Sequence, residues 1–85
     1  MSENTYLFDG KTHLNDFLKV LSFDEDYLDE AKGEAETLAG LMLEIRKDFL
    51  RRGETLAYRR LTLRVDAMDG RRIDKIRVTV ADSED

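Results

Sequence analysis

From Glu54 onward the apolar residues fall on every second position, and this period constrains the fold more than any other feature of the chain. Leu56 and Tyr58 form one run, Leu61, Leu63, Val65 and Ala67 a second, and Ile76, Val78 and Val80 a third. A period of two sends successive side chains to opposite faces of a strand. Asp69-Gly70 is a strong signal for a two-residue hairpin turn. Placed at the turn, it pairs Met68 with Arg71, and hence Leu63 with Ile76 and Leu61 with Val78. A second two-residue turn at Arg59-Arg60 pairs Leu56 with Leu63 and Tyr58 with Leu61. Two arginines are poor turn chemistry, since such turns favour Gly or Asn. Both turns nevertheless align the apolar positions in rows, and matching of the buried face is what sets register. The block therefore predicts three antiparallel strands in a meander. One conflict remains near the tip, where Asp74 falls on the buried side and Ile73 on the exposed side. Either the tip overhangs the core or a bulge near Asp74-Lys75 re-aims Ile73.

A half-buried sheet needs a cover, and the first half of the chain supplies it. In the stretch 37–49, Leu38, Leu41, Met42, Ile45 and Phe49 recur at helical spacing, with Thr37 as N-cap. A helix this short is marginal in isolation and needs the sheet to lie on. Leu14, Phe17, Leu18 and Leu21 mark a second amphipathic helix. Thr12 is its expected cap, with Asn15 where a capping box prefers Glu or Gln. Tyr6-Leu7-Phe8 reads as a short strand ended by Asp9-Gly10. Residues 22–36 form an acidic connection, with a helical turn expected around 27–31; the end at 1–5 is polar, and 81–85 is an acidic tail. The expected fold class is α+β: an antiparallel three-stranded meander plus a short N-terminal strand, with two main helices packed on one face. The 85 residues make one domain with its core over about 6–80.

Charge is unevenly distributed. The net value is −5, yet residues 1–45 hold eleven acidic side chains against three basic ones, and residues 46–85 hold eleven basic against eight acidic. The acidic total argues against nucleic acid as a partner, because such binding rests on phosphate neutralisation. With no cysteine, disulfides and thiolate metal sites are excluded. No apolar run approaches the length of a membrane span and no signal peptide is visible, so a cytoplasmic placement is expected.

Chemistry-bearing motifs are sparse. Gly10-Lys11-Thr12 resembles the end of a phosphate-binding loop, but Thr5 stands where that pattern needs Gly. Asp24, Asp26 and Asp29 hint at a calcium loop, but Leu28 and Asp29 break its pattern, leaving a solvated acidic segment with adventitious calcium or magnesium as the metal reading. His13 is the single histidine, and Ser2, Ser22 and Ser83 lack an elbow motif, so a catalytic triad is not expected. Arg59, Arg60, Arg71 and Arg72 sit on the strand turns, either as solvated charges that discourage edge pairing or as an anion site at one rim of the sheet. Ala39, Gly40 and Leu43 lie on the central helix away from its main apolar face. They are either covered within the domain or form a small contact patch for another chain.

Several of these segments together resemble the transporter-associated domain at the C-terminus of CorC/HlyC-type proteins. The matching parts are Tyr6-Leu7-Phe8-Asp9-Gly10, the Leu14/Phe17/Leu18 helix, Thr37-Leu38-Ala39-Gly40-Leu41, Gly53-Glu54, and Asp69-Gly70-Arg71-Arg72-Ile73 followed by Ile76-Arg77-Val78. The proline usual before the Gly-Glu pair is absent, and the acidic connection is longer than usual. The resemblance implies a fold grouped with FAD-binding, transporter-associated domains. It implies a parent protein with a membrane region and a pair of CBS domains as partners, linked to magnesium and cobalt efflux or called hemolysin, with this domain at the cytoplasmic face. The role it implies is regulatory or interactive, with homodimer formation open and no catalytic residues to transfer. FAD or adenine-nucleotide binding is the alternative, and it follows from the fold grouping alone.

Overall fold

The structure, a computed structural model, describes residues 4–81. Four strands and three helices run in the order β1 (Asn4–Asp9), α1 (Leu14–Leu21), α2 (Asp29–Lys32), α3 (Leu38–Arg46), β2 (Thr55–Tyr58), β3 (Leu61–Asp69) and β4 (Arg72–Val80). The sheet order is β1-β4-β3-β2, antiparallel throughout. This is the expected meander with the N-terminal strand added beside β4. Residues 1–3 and 82–85 lie outside the described residues, and Asn4 and Thr5 of the expected polar end belong to β1.

The helices cover one face of the sheet. Phe17 of α1, Leu38, Leu41 and Met42 of α3, and Leu63, Ile76 and Val78 of the sheet are fully buried together. Phe8 on β1 meets Phe17 edge-on, with ring centroids 5.0 Å apart. The opposite face of the sheet is open, and Leu7 on it is 58% exposed.

The meander register is part expected and part corrected. Leu56 pairs with Leu63 and Tyr58 with Leu61, as the Arg59-Arg60 turn requires. In the second hairpin Leu63 pairs with Val78, not Ile76, and Leu61 with Val80, not Val78. Asp69 pairs with Arg72, so the turn is Gly70-Arg71 and not Asp69-Gly70. Gly70 takes the first central position with φ 64°, the pattern of a type II′ turn. The expected pairing was displaced by two residues, which keeps every side chain on its face. The conflict at the tip is resolved by paired irregularities, one extra residue on each strand at Asp66 and Asp74. These bulges bury Ile73 and leave Asp74 exposed.

The helix ends also depart from expectation in places. Thr37 caps α3 as predicted, its hydroxyl accepting from the Gly40 N–H at 3.2 Å. His13, not Thr12, is the N-cap of α1, and no side chain bonds there. The reason is tertiary: the Thr12 carbonyl accepts from Leu38 N–H, the Glu36 carbonyl accepts from Leu14 N–H, and His13 bridges Thr37. The strand-like segments before α1 and α3 thus tie the two helix starts together. The turn expected around 27–31 forms as α2, shifted slightly toward Lys32. Phe49 does not continue the α3 face. Lys47 turns left-handed at φ 62° and ends the helix, Phe49 is 78% exposed, and Leu50 enters the core instead.

Candidate functional site

Among the described residues, a broad concavity lies where the start of α3, the segment after it and the β3–β4 hairpin meet. Gly10 forms its back. The Gly10 N–H donates to the Asp74 carbonyl and its own carbonyl accepts from Ala39 N–H, both at 2.8 Å. A Cβ at this position would lie 2.1 Å from the Ile73 carbonyl oxygen, so no other residue fits here without backbone movement. This three-way junction holds open a cleft of about 660 Å³.

Two separate expectations converge in that cleft. Arg71 and Arg72 line one wall, and Ala39 and Leu43 line the other. Leu43 is 42% exposed. Gly40 does not reach the cleft; it faces Ala35 and the Thr37 hydroxyl, where a Cβ would meet both at 3.3 Å. Lys11, Lys47 and Phe49 join the lining, and the sequence reading missed all three. The signal for Phe49 was Asp48, a residue that favours local turns over helix; its Oδ1 accepts from the Phe49 N–H at 2.7 Å. Among the described residues, Lys11 and the guanidinium groups of Arg71 and Arg72 make no ion pair, while Lys47 pairs with Glu44 at 3.4 Å. Beyond Phe49 the cleft continues as a second depression bordered by Arg51 and Arg52.

The donors that a helix start would offer to an anion are already used. Leu38 N–H bonds the Thr12 carbonyl, Ala39 N–H the Gly10 carbonyl and Gly40 N–H the Thr37 hydroxyl. Any anion in the cleft is left to the long side chains.

Arg59 and Arg60 belong elsewhere. Consecutive hairpin turns fall at opposite ends of a meander, so the four arginines do not share one rim, as the sequence reading had them. The Arg59 guanidinium stacks 4.3 Å from the Tyr27 ring centroid. Arg60 lies over Phe23 and donates from Nε to the Ala81 carbonyl at 2.9 Å. The Tyr27 hydroxyl accepts from Arg60 N–H at 3.1 Å, and the Tyr58 hydroxyl donates to the Tyr27 carbonyl at 3.3 Å. These contacts clamp the acidic connection onto the sheet. Asp24, Asp26 and Asp29 border a shallow depression beside Arg59. Among the described residues, no group of three or more His, Asp or Glu side chains is arranged to hold a metal ion. At the β1 edge Asp9 pairs with Lys75, which holds the carboxyl below its usual range and raises the amine above its own.

The comparisons with known proteins agree with this architecture. The family model for the CorC_HlyC transporter associated domain matches residues 1–82, and the chain belongs to that family. The chain is similar to the transporter associated domain of a CBS domain protein from Porphyromonas gingivalis, with 37% identity, a TM-score of 0.84, and 92% of this chain and 90% of that one covered. It is also similar to the polyamine export protein of Escherichia coli K12, with 32% identity over 82 residues, covering 96% of this chain but only 18% of that protein. The fold recurs in the CorC_HlyC domain of a Xylella fastidiosa Temecula1 hemolysin, described in complex with magnesium and manganese, at 23% identity and a TM-score of 0.73, covering 92% and 89% of the two chains. No described helix is long and apolar enough to cross a membrane.

Proposed function

We propose that this domain is a non-catalytic regulatory module of a CBS-domain membrane transporter of the CorC/HlyC type, acting by docking at the cytoplasmic face. The observation that carries the reading is the match of residues 1–82 to the transporter associated domain family, which supports a role in a transporter. The small share of the E. coli polyamine export protein that it covers supports a part appended to a much longer polypeptide. The P. gingivalis relative supports CBS domains as neighbours. The cargo would be a cation, either a magnesium or cobalt ion or a polyamine.

The test is deletion. The parent transporter would be expressed with and without this domain, at matched membrane levels. Efflux of magnesium, cobalt and putrescine would then be compared. A changed efflux rate, or a changed response to nucleotide, supports a regulatory role. Identical efflux of all three cargoes under all conditions rules it out. Binding of FAD or an adenine nucleotide is the second reading, favoured by Lys11, Arg71 and Arg72 sharing one cleft with the exposed Phe49 ring. Calorimetry with FAD, ADP and ATP separates it, since heat at millimolar ligand is required.

A further inference from the structure

We infer that the cleft between α3 and the β3–β4 hairpin holds an acidic peptide segment with one bulky apolar anchor, supplied by the rest of the parent polypeptide. The inference rests on the proposed place of this domain in a longer transporter chain.

Three observations choose this occupant. The first is apolar exposure. Leu43 and Phe49 are two of the four exposed large hydrophobic residues among those described, and both line this cleft. Phe49 is held out by the left-handed turn at Lys47 and the Asp48 bond to its own N–H. An exposed aromatic beside a pocket can be desolvated by a partner, and buried aromatics are the usual anchors of a binding hot spot.

The second is sign. In a chain of net charge −5, the cleft and its extension gather Lys11, Arg71, Arg72, Arg51 and Arg52 against Asp48, Asp69 and Asp74, with Lys47 there already paired to Glu44. Such a rim steers acidic partners, and it repels the same face of a second copy.

The third is the type of donor. A phosphate cradle uses free backbone N–H groups, and the three at the start of α3 are all engaged. The available donors are long, separated side chains, which suit carboxylates spread along a peptide better than one compact phosphate group. A single modest cleft gives weak affinity on its own. A tether within one polypeptide raises the effective concentration enough to fill it.

The 85-residue chain carries its own core and can be used as it stands. It would be probed against overlapping short peptides tiled across the rest of the parent sequence. Retention on acidic tiles containing Leu, Phe or Ile is expected. Isotope-labelled protein should show shifts at Gly10, Leu43, Phe49 and Arg71 with those tiles. Arg71→Glu and Phe49→Ser should each weaken binding by about tenfold or more while keeping the native circular dichroism. Arg64→Glu, on the open sheet face, should bind normally. Retention on no tile, retention on basic tiles, or equal binding by Arg71→Glu would overturn the inference. So would ADP or pyrophosphate shifting these amides where no peptide does. Each of those results leaves the efflux outcome of domain deletion untouched, so the two readings fail separately.

Discussion

At the scale of single residues, Gly10 and Thr37 hold the junction behind the cleft by different means. Gly10 is needed for space. Its missing Cβ allows the Ile73 carbonyl to come as close as it does, and backbone cannot give way like a side-chain tip. Gly10→Ala is therefore expected to destabilise the chain by about 2 kcal/mol or more, read as a lower urea midpoint at unchanged slope. Thr37 is needed for one hydrogen bond. Thr37→Ala frees the Gly40 N–H, and a cost of about 1 kcal/mol is expected from the same measurement. The Thr37 cap was readable from sequence because capping is local chemistry. The role of Gly10 was not, because the atom it avoids belongs to Ile73, far along the chain.

At the scale of elements, alternation in the strands fixed faces but not partners. Slipping β3 against β4 by two residues leaves Leu61, Leu63 and Val65 inside in either register, so hydrophobic pattern cannot choose between them. The turn chooses, through the positive φ of Gly70 at its first central position. Helix α3 shows the converse limit. Ile45 to Phe49 keeps helical spacing, and nothing in Arg46-Lys47 announces a stop, so spacing alone points the exposed aromatic of the candidate site toward the core. The short edge strand β1 carries a prediction of its own. Asp9 faces Lys75 across the β1–β4 pair, lowering the Asp9 pKa and raising that of Lys75. A lowered folded-state carboxyl pKa contributes stability above its unfolded value, and that is lost as pH falls through the folded value. A raised amine pKa contributes below its unfolded value and is lost as pH rises through the folded one. The pair thus acts from above the ordinary carboxylate range to below the ordinary lysine range. Asp9→Asn should lower the melting temperature slightly at pH 7 and flatten its fall on acidification. Because both groups are exposed, added salt should shrink the difference.

At the scale of the whole molecule, the two hairpin turns divide the arginines between contacts within the fold and the open cleft. At one end of the sheet, Arg60 ties its turn to two distant parts of the chain: Phe23 and Tyr27 of the acidic connection, and Ala81 after β4. Seven acidic residues crowd residues 22–36 against one lysine, so that connection repels itself and needs such a clamp. At the other end, Arg71 stands exposed on a turn with no partner for its guanidinium among the described residues. The same substitution at the two ends should then have opposite readouts. Arg60→Ala removes a partly buried charge-assisted hydrogen bond and a ring contact, and should cost about 1–2 kcal/mol of stability. It should leave peptide capture at the far cleft unchanged once the protein is folded. Arg71→Ala should stay within about 0.5 kcal/mol of the parent in urea unfolding while weakening capture. Side by side, the two unfolding curves and the two binding curves should exchange their order. A large stability loss in Arg71→Ala would make that residue part of the scaffold and remove the cleft's strongest claim to a partner.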